Sequence, residues 1–298
     1  MNYKVLLILL LILTAYSCSY KNSVADKIII FHAGSLAVPF MDLANEFKKE
    51  HPNVEFFIET SGSLQAARKI TELNKECDIL AVADYLIIDN LLIPKYAESN
   101  NVFATNEMII AYNNKSKYKD SIEHINWYDL VLKEDVIIGR SEPNLDPCGY
   151  RTIFLFKLSD FFYNKAYLSE ELITKKLTVI RPKEVDLLAL LETNNIDYLF
   201  IYKSVAQQHN LQYILLPDEI NLSNSDLEDY YSKVSLTVTG AKQGETVDII
   251  GSSIVYSYCI PKTVQNMELA LDFLSFLKNP EKGGKILERN GMKAVYNR

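Results

Sequence analysis

The sequence predicts an α/β protein of two lobes. Three observations carry that expectation. Apolar strand-like runs alternate with segments of helical period from residue 27 onward. At least two of the strand-to-helix turns are built from glycine and serine. A later β-rich run returns after an excursion of more than a hundred residues. A chain of 298 residues is long enough for one large or two medium domains.

Residues 27–31 form a short apolar strand, followed by the turn His32-Ala33-Gly34-Ser35-Leu36. Phe40, Leu43, Ala44 and Phe47 then recur at helical spacing, with Pro39 in the first turn. A second strand is expected at 54–58, its turn at Glu59-Thr60-Ser61-Gly62-Ser63, and a helix at 64–73. The run 78–82 is continuously apolar, as in a strand covered on both faces. This order implies parallel pairing with right-handed crossovers.

Strands are expected at 107–112, 136–138, 177–180 and 198–202, with helices at 150–162 and 184–191 between them. Residues 217–230 are polar and read as a surface loop, and 249–260 as one long strand. Met267, Ala270, Leu271, Leu274 and Leu277 mark an amphipathic helix, and a last short one ends at Gly291. There is no internal repeat and no low-complexity segment. The boundaries expected are lobe 1 at 27–108 plus 250–298 and lobe 2 at 109–249, joined by a two-strand hinge with a ligand cleft between them.

Residues 1–18 read as a targeting segment, with Lys4 before an apolar stretch at 5–15 too short to span a bilayer comfortably. Cys18 follows Ala15-Tyr16-Ser17, a weak match to a bacterial lipobox: Ala15 stands where leucine is usual and Tyr16 where a small residue is usual. Lipidation at Cys18, plain cleavage and an uncleaved anchor all remain open on this pattern. The net charge of −7 and the lack of a basic cluster exclude ordinary nucleic-acid binding. Cys77, Cys148 and Cys259 are an odd number in an exported chain, which argues against a disulfide framework. Cys77 and Cys259 sit at strand ends, as buried small hydrophobes do.

Asp146-Pro147 is a helix start, an acceptor side chain followed by proline at the first helical position. Gly34-Ser35 and Ser61-Gly62-Ser63 open two other helices behind strands. Each could be a simple cap. Aimed at one point, three helix starts would form an oxyanion receptor from N–H groups and hydroxyls. Locally, Glu184 reads as a first-turn acid, and Tyr202 as a packing residue at a strand end. Cys148, two residues into a helix, could be a thiol of low pKa, which would act only with a positioned histidine. Of His32, His51, His124 and His209, His32 alone leads from a strand into the expected cleft. No metal-ligand spacing and no phosphate loop is present.

The motifs Ala33-Gly34-Ser35-Leu36, Ser61-Gly62-Ser63, Asp78 through Asp84, Asp146-Pro147-Cys148-Gly149-Tyr150-Arg151, Arg181-Pro182-Lys183-Glu184 and Phe200-Ile201-Tyr202-Lys203-Ser204-Val205-Ala206 occur in order. Together they make the chain resemble the archaeal-type tungstate/molybdate-binding proteins, the receptor components of ABC transporters. The resemblance covers nearly everything after the targeting segment. It implies a type II periplasmic-binding-protein fold, an extracytoplasmic location, an ABC permease as partner, a monomer, membrane contact only through an N-terminal anchor, and neither cofactor nor catalysis. It implies that Gly34, Ser35, Ser63, Asp146, Pro147, Cys148, Glu184 and Tyr202 hold the oxyanion, with Asp146 and Glu184 approaching its metal atom. The rival expectations are a receptor for sulfate, phosphate or an iron complex, an enzyme using Cys148 with His32, and a sensory or adhesive surface protein.

Overall fold

A computed structural model describes residues 26–123, 126–240 and 244–296. The targeting segment with Cys18, and His124, lie outside the described residues. The chain begins with β1 (Asp26–Ala33), β2 (Val54–Ser61), β3 (Ile79–Val82) and β4 (Asn101–Thr105). It crosses into β5 (Met108–Tyr112), β6 (Ile138–Ser141), β7 (Thr178–Arg181), β8 (Tyr198–Tyr202) and β9 (Gln212–Leu215). A hairpin, β10 (Ser235–Thr239) with β11 (Thr246–Ile250), precedes the return through β12 (Val255–Cys259) and β13 (Lys293–Ala294). The four longest described helices are α1 (Ala37–Glu50), α2 (Ser63–Thr71), α3 (Pro147–Phe162) and α4 (Met267–Lys278).

Two sheets define the two lobes. The first has the order β13-β4-β12-β3-β1-β2, the second β7-β6-β8-β5-β9. In the first, β1 pairs in parallel with β2 and β3, while β12 runs antiparallel to β3 and β4. In the second, β6 pairs in parallel with β7 and β8, while β5 runs antiparallel to β8 and β9. The expected parallel units are therefore present, and each interlobe crossing delivers one antiparallel strand. The crossings lie at residues 106–107 and 251–254. They are tied to each other by the Asn106 N–H donating to the Ile254 carbonyl at 3.3 Å.

Each lobe has its own aromatic core. In lobe 1, Phe47 of α1 meets Phe273 and Phe276 of α4 at ring distances of 5.4 and 5.6 Å. In lobe 2, Trp127 and Phe156 stand on Phe200 of β8 at 5.7 and 4.8 Å. The helix α3 is buried on nearly all sides, because the lobe 2 sheet, the hairpin and the segment around Ile220 enclose it. An enclosed helix has no polar face to show, which is why its sequence reads as a plain apolar run.

Several expected elements differ. Glu59 to Ser61 continue β2, because each pairs with a β1 residue up to Ala33. The strand expected at 136–138 lies two residues later as β6. Asp197 accounts for the shift, since its backbone and side chain bond Ile137 before the ladder begins. Residues 217–230 are not a loop but short helices at Asp218–Asn221, Ser225–Leu227 and Glu228–Tyr231. Ile220, Leu222 and Tyr231 are buried there, three apolar anchors too widely spaced to give a period. The long strand at 249–260 is two strands in different sheets, divided at Gly251. A β-carbon there would lie 2.3 Å from the Tyr231 carbonyl oxygen, so only glycine lets the chain turn so close to that helix.

Gly251→Ala should therefore lower the unfolding free energy by about 1–3 kcal/mol, the usual cost of overpacking. Urea unfolding measures this; an unchanged midpoint would show that the 251 break tolerates a side chain.

Candidate functional site

The register of each sheet brings the turns together. Ala33 pairs with Ser61, so β1 and β2 end level and set Gly34-Ser35 beside Gly62-Ser63. Ser141 pairs with Arg181, so β6 and β7 also end level, ahead of Asp146 and Glu184. Tyr202 closes β8 in the same sheet. The two sets of turns face each other across the interlobe boundary. A β-carbon on Gly34 would stand 2.9 Å from Glu184 Oε2, and one on Gly62 would stand 2.2 Å from the Leu145 carbonyl oxygen. Both glycines are thus points where one lobe's backbone is met by the other. The residues Gly34, Ser35, Ser63, Asp146, Pro147, Cys148, Glu184 and Tyr202 are all buried in this arrangement.

Three hydroxyls are oriented in a common way. Ser35 Oγ accepts from the Tyr256 hydroxyl at 2.9 Å, and Tyr256 in turn accepts from Asn106 Nδ2 at 3.2 Å. Ser63 Oγ accepts from the Ala83 N–H at 3.0 Å. The Tyr202 hydroxyl accepts from Arg151 Nη1 at 3.2 Å. A hydroxyl that already accepts retains one hydrogen to donate. All three hydroxyls are therefore set as donors, the polarity an oxyanion requires.

The two acids are placed differently. Asp146 occupies the N-cap position of α3 but makes no side-chain bond to that helix. Its Oδ2 instead accepts from the Glu184 N–H at 3.0 Å and fixes the segment carrying that residue. Glu184 is 0% exposed, and both its carboxylate oxygens lack a hydrogen-bond donor among the described residues. The Asp146 carboxyl and the Ser35 hydroxyl are its nearest polar neighbours and both act on its titration, although the Ser35 oxygen is also engaged by Tyr256. Burial pushes the Asp146 carboxyl up, and burial followed by the neighbouring Asp146 charge holds Glu184 well above the usual carboxylate range.

Cys148 does not turn its side chain toward these groups. Its thiol points at the Phe200 carbonyl oxygen, 3.7 Å away, and burial raises its pKa well above the usual value. The expectation of a low-pKa thiol is therefore corrected: the burial of the first turn of α3 outweighs the helix dipole. His32 is engaged elsewhere, with Nδ1 at 2.7 Å from the Ala33 carbonyl and Nε2 at 3.3 Å from Thr60 Oγ1. Among the described residues no group of three or more His, Cys, Asp or Glu could hold a metal ion.

Sequence reasoning assigned no role to Asp84, Tyr150, Arg151, Tyr256 or Asn106. Arg151 has a local signal, the single charge in the otherwise largely apolar stretch 150–156. Asn106 and Tyr256 have none, because their partners are distant in sequence.

The family of bacterial extracellular solute-binding proteins matches residues 28–293. The chain is 46% identical over 291 residues to the molybdate/tungstate-binding protein WtpA of Pyrococcus abyssi, covering 89% of this chain and 83% of that one. It is 42% identical over 275 residues to an uncharacterized solute-binding protein of Petrotoga mobilis, covering 92% and 85%. In fold it is similar to the periplasmic molybdate-binding protein of Azotobacter vinelandii, with a TM-score of 0.67 at 15% identity over 91% of this chain and 100% of that chain. The sulfate-binding protein SubI of Mycobacterium tuberculosis gives 0.66 at 11% identity over 91% and 87%. The fold is that of the type II periplasmic-binding proteins. The chain belongs to the bacterial extracellular solute-binding protein family, whose members bind solutes and are not enzymes.

Burial lowers the His32 pKa to about 4 against 6.5 in an unfolded chain. The unfolded state then binds more protons in that window, so stability is full above pH 6.5 and is lost as the pH falls toward 4. His32 should account for about 3 kcal/mol of that loss. Denaturant titrations between pH 7 and 4 should show a flatter profile for His32→Gln than for the wild type.

Proposed function

We propose that this solute-binding protein is an extracytoplasmic receptor for tungstate or molybdate, which it holds between its lobes and delivers to an ABC permease. The observation that supports this most directly is Glu184, a buried carboxylate with no donor, beside Asp146 and amid three donating hydroxyls. Two carboxylates near a dianion repel it by about 4 kcal/mol per unit pair at 4 Å and an effective dielectric of 20. A tetrahedral anion of sulfur or phosphorus offers no relief. Tungsten(VI) and molybdenum(VI) can expand their coordination and accept carboxylate oxygens directly. Asp146 and Glu184 would then bind the metal atom, while Ser35, Ser63, Tyr202 and the helix-start N–H groups, including those of Gly34 and Cys148, hold the outer oxygens. Pro147 has no N–H and serves as a wall. The same acids discriminate against sulfate and phosphate.

In this reading the lobes are those expected at 27–108 with 250–298 and at 109–249, with the segments at 106–107 and 251–254 as the hinge, so that Met108, the first residue of β5, goes with lobe 2. Residues 1–18 act as the export segment, with Cys18 as the candidate lipid anchor, and the receptor works as a monomer. The similarity to molybdate/tungstate-binding proteins at 46% and 42% identity supports the choice of ligand. A second reading, sulfate or phosphate, would leave Glu184 without a function.

Isothermal titration calorimetry should show one-to-one binding of tungstate and molybdate and no heat from sulfate or phosphate. The pair Asp146→Asn and Glu184→Gln should weaken tungstate by at least about tenfold while leaving sulfate no weaker. Tight sulfate binding by the wild type would overturn the ligand assignment. Gly62→Ala tests closure separately, because its backbone (φ −61°) suits alanine while its β-carbon would strike Leu145. The melting temperature of the free variant should stay close to wild type, and its tungstate-induced rise should largely vanish.

A further inference from the structure

Arg151 is 1% exposed and belongs to α3 of the second lobe, yet its guanidinium reaches into the first. Nη1 donates to the Ala83 carbonyl at 2.6 Å, and Nη2 stands 3.4 Å from Asp84 Oδ2. The Tyr150 hydroxyl donates to the same Asp84 oxygen at 2.5 Å. Asp84 is equally buried, and its other oxygen accepts from the Leu86 N–H at 3.0 Å within its own lobe. Three polar contacts therefore cross the cleft at one place, and one of them is a buried ion pair.

We infer that Asp84, Arg151 and Tyr150 form a closure latch that sets how long the bound anion is retained. The latch is joined to the ligand-facing hydroxyls on both sides. Arg151 holds the Tyr202 hydroxyl in lobe 2, and Ala83, whose carbonyl it grips, holds Ser63 Oγ in lobe 1. When the lobes separate, Arg151 keeps Tyr202 and Asp84 keeps Leu86, while the three crossing contacts are exchanged for water. The latch is thus absent when an anion arrives and present when it leaves. A buried ion pair gains little net energy on forming but leaves a costly unpaired charge when one partner is removed. Loss of Asp84 therefore acts on the closed state, where Arg151 would be stranded, and on release more than on capture. These are positioning residues, since none need touch the anion. The inference rests on the receptor reading of the cleft only for the choice of probe.

The test uses single-molecule fluorescence transfer between dyes at Lys49→Cys and Glu170→Cys, two exposed positions on opposite lobes, with Cys18→Ser. The native Cys77, Cys148 and Cys259 are buried. Tungstate is the probe, with stopped-flow chase for release. Asp84→Asn keeps an acceptor for Leu86 and should leave the association rate and the free protein's melting temperature unchanged. It should raise the release rate by at least about tenfold and reduce the closed population. Tyr150→Phe should act in the same direction by a smaller factor. Unchanged release and unchanged closed population in Asp84→Asn would overturn the latch. A lowered melting temperature of the free variant with unaltered release would do the same, reducing Asp84 to a structural cap. A wild type that ignores tungstate would overturn the ligand assignment alone. The latch would then stand or fall on whether Asp84→Asn shifts the free protein's lobe distances toward the open form.

Discussion

The dominant constraint in this protein is a pair of carboxyl groups buried together with few donors, where burial works against the charge of both. Glu184 and Asp146 stand together inside the closed cleft, and Glu184 has no donor among the described residues. Carboxylates in that condition protonate, separate or find an electropositive partner. Burial already favours the first, and the contact between Asp146 and the Glu184 backbone opposes the second. Asp146 is committed to the Glu184 N–H, which fixes the two acids relative to each other. Gly34 and Gly62 let the opposite lobe approach so closely that water has little room beside them. The hydroxyls are turned to donate by partners behind them, so they add positive polarity without adding charge.

The hinge and the cleft are parts of the same hydrogen-bonded assembly. Asn106 sits where the chain first crosses between lobes. It donates to Ser204 of lobe 2 and to Tyr256 of lobe 1, and Tyr256 donates onward to Ser35. The orientation of the Ser35 hydroxyl is therefore set from Asn106. On the far side of the site Arg151 does the equivalent for Tyr202, and it also bonds the carbonyl of Ala83, whose N–H donates to Ser63 Oγ. Each hydroxyl is oriented from within its own lobe, and the meeting of the lobes brings the three together.

Much of the fold was legible because it is local. The parallel units β1-α1-β2-α2-β3 follow from apolar runs and helical spacing, and the start of α3 from Asp146-Pro147. The failures have a common cause. The run at 249–260 is uniformly β-forming, and nothing within it shows that Gly251 must pass beneath Tyr231. The helices between 218 and 231 bury only a few apolar anchors, which is too sparse for a periodic signal. The strand β9 and the hairpin β10–β11 are short and partly exposed, so their sequences resemble loops.

By itself, then, the sequence determined the two-lobed α/β plan and the turns that open the helices, with Gly34, Ser35 and Ser63 on them, while Asp146, Pro147, Cys148, Glu184 and Tyr202 became ligand candidates only through the resemblance to tungstate/molybdate-binding proteins. Propensity, capping and turn chemistry act over a few residues, and that is the range at which these signals are written. Only the tertiary structure decided what the side chains do. It joined Asp146 to the backbone of a residue 38 positions later. It also faced Cys148 into the lobe 2 sheet and carried Arg151 across to Ala83, 68 positions away. These choices depend on sheet register and on how the lobes meet, which arise from packing between distant segments and leave no mark on the local pattern.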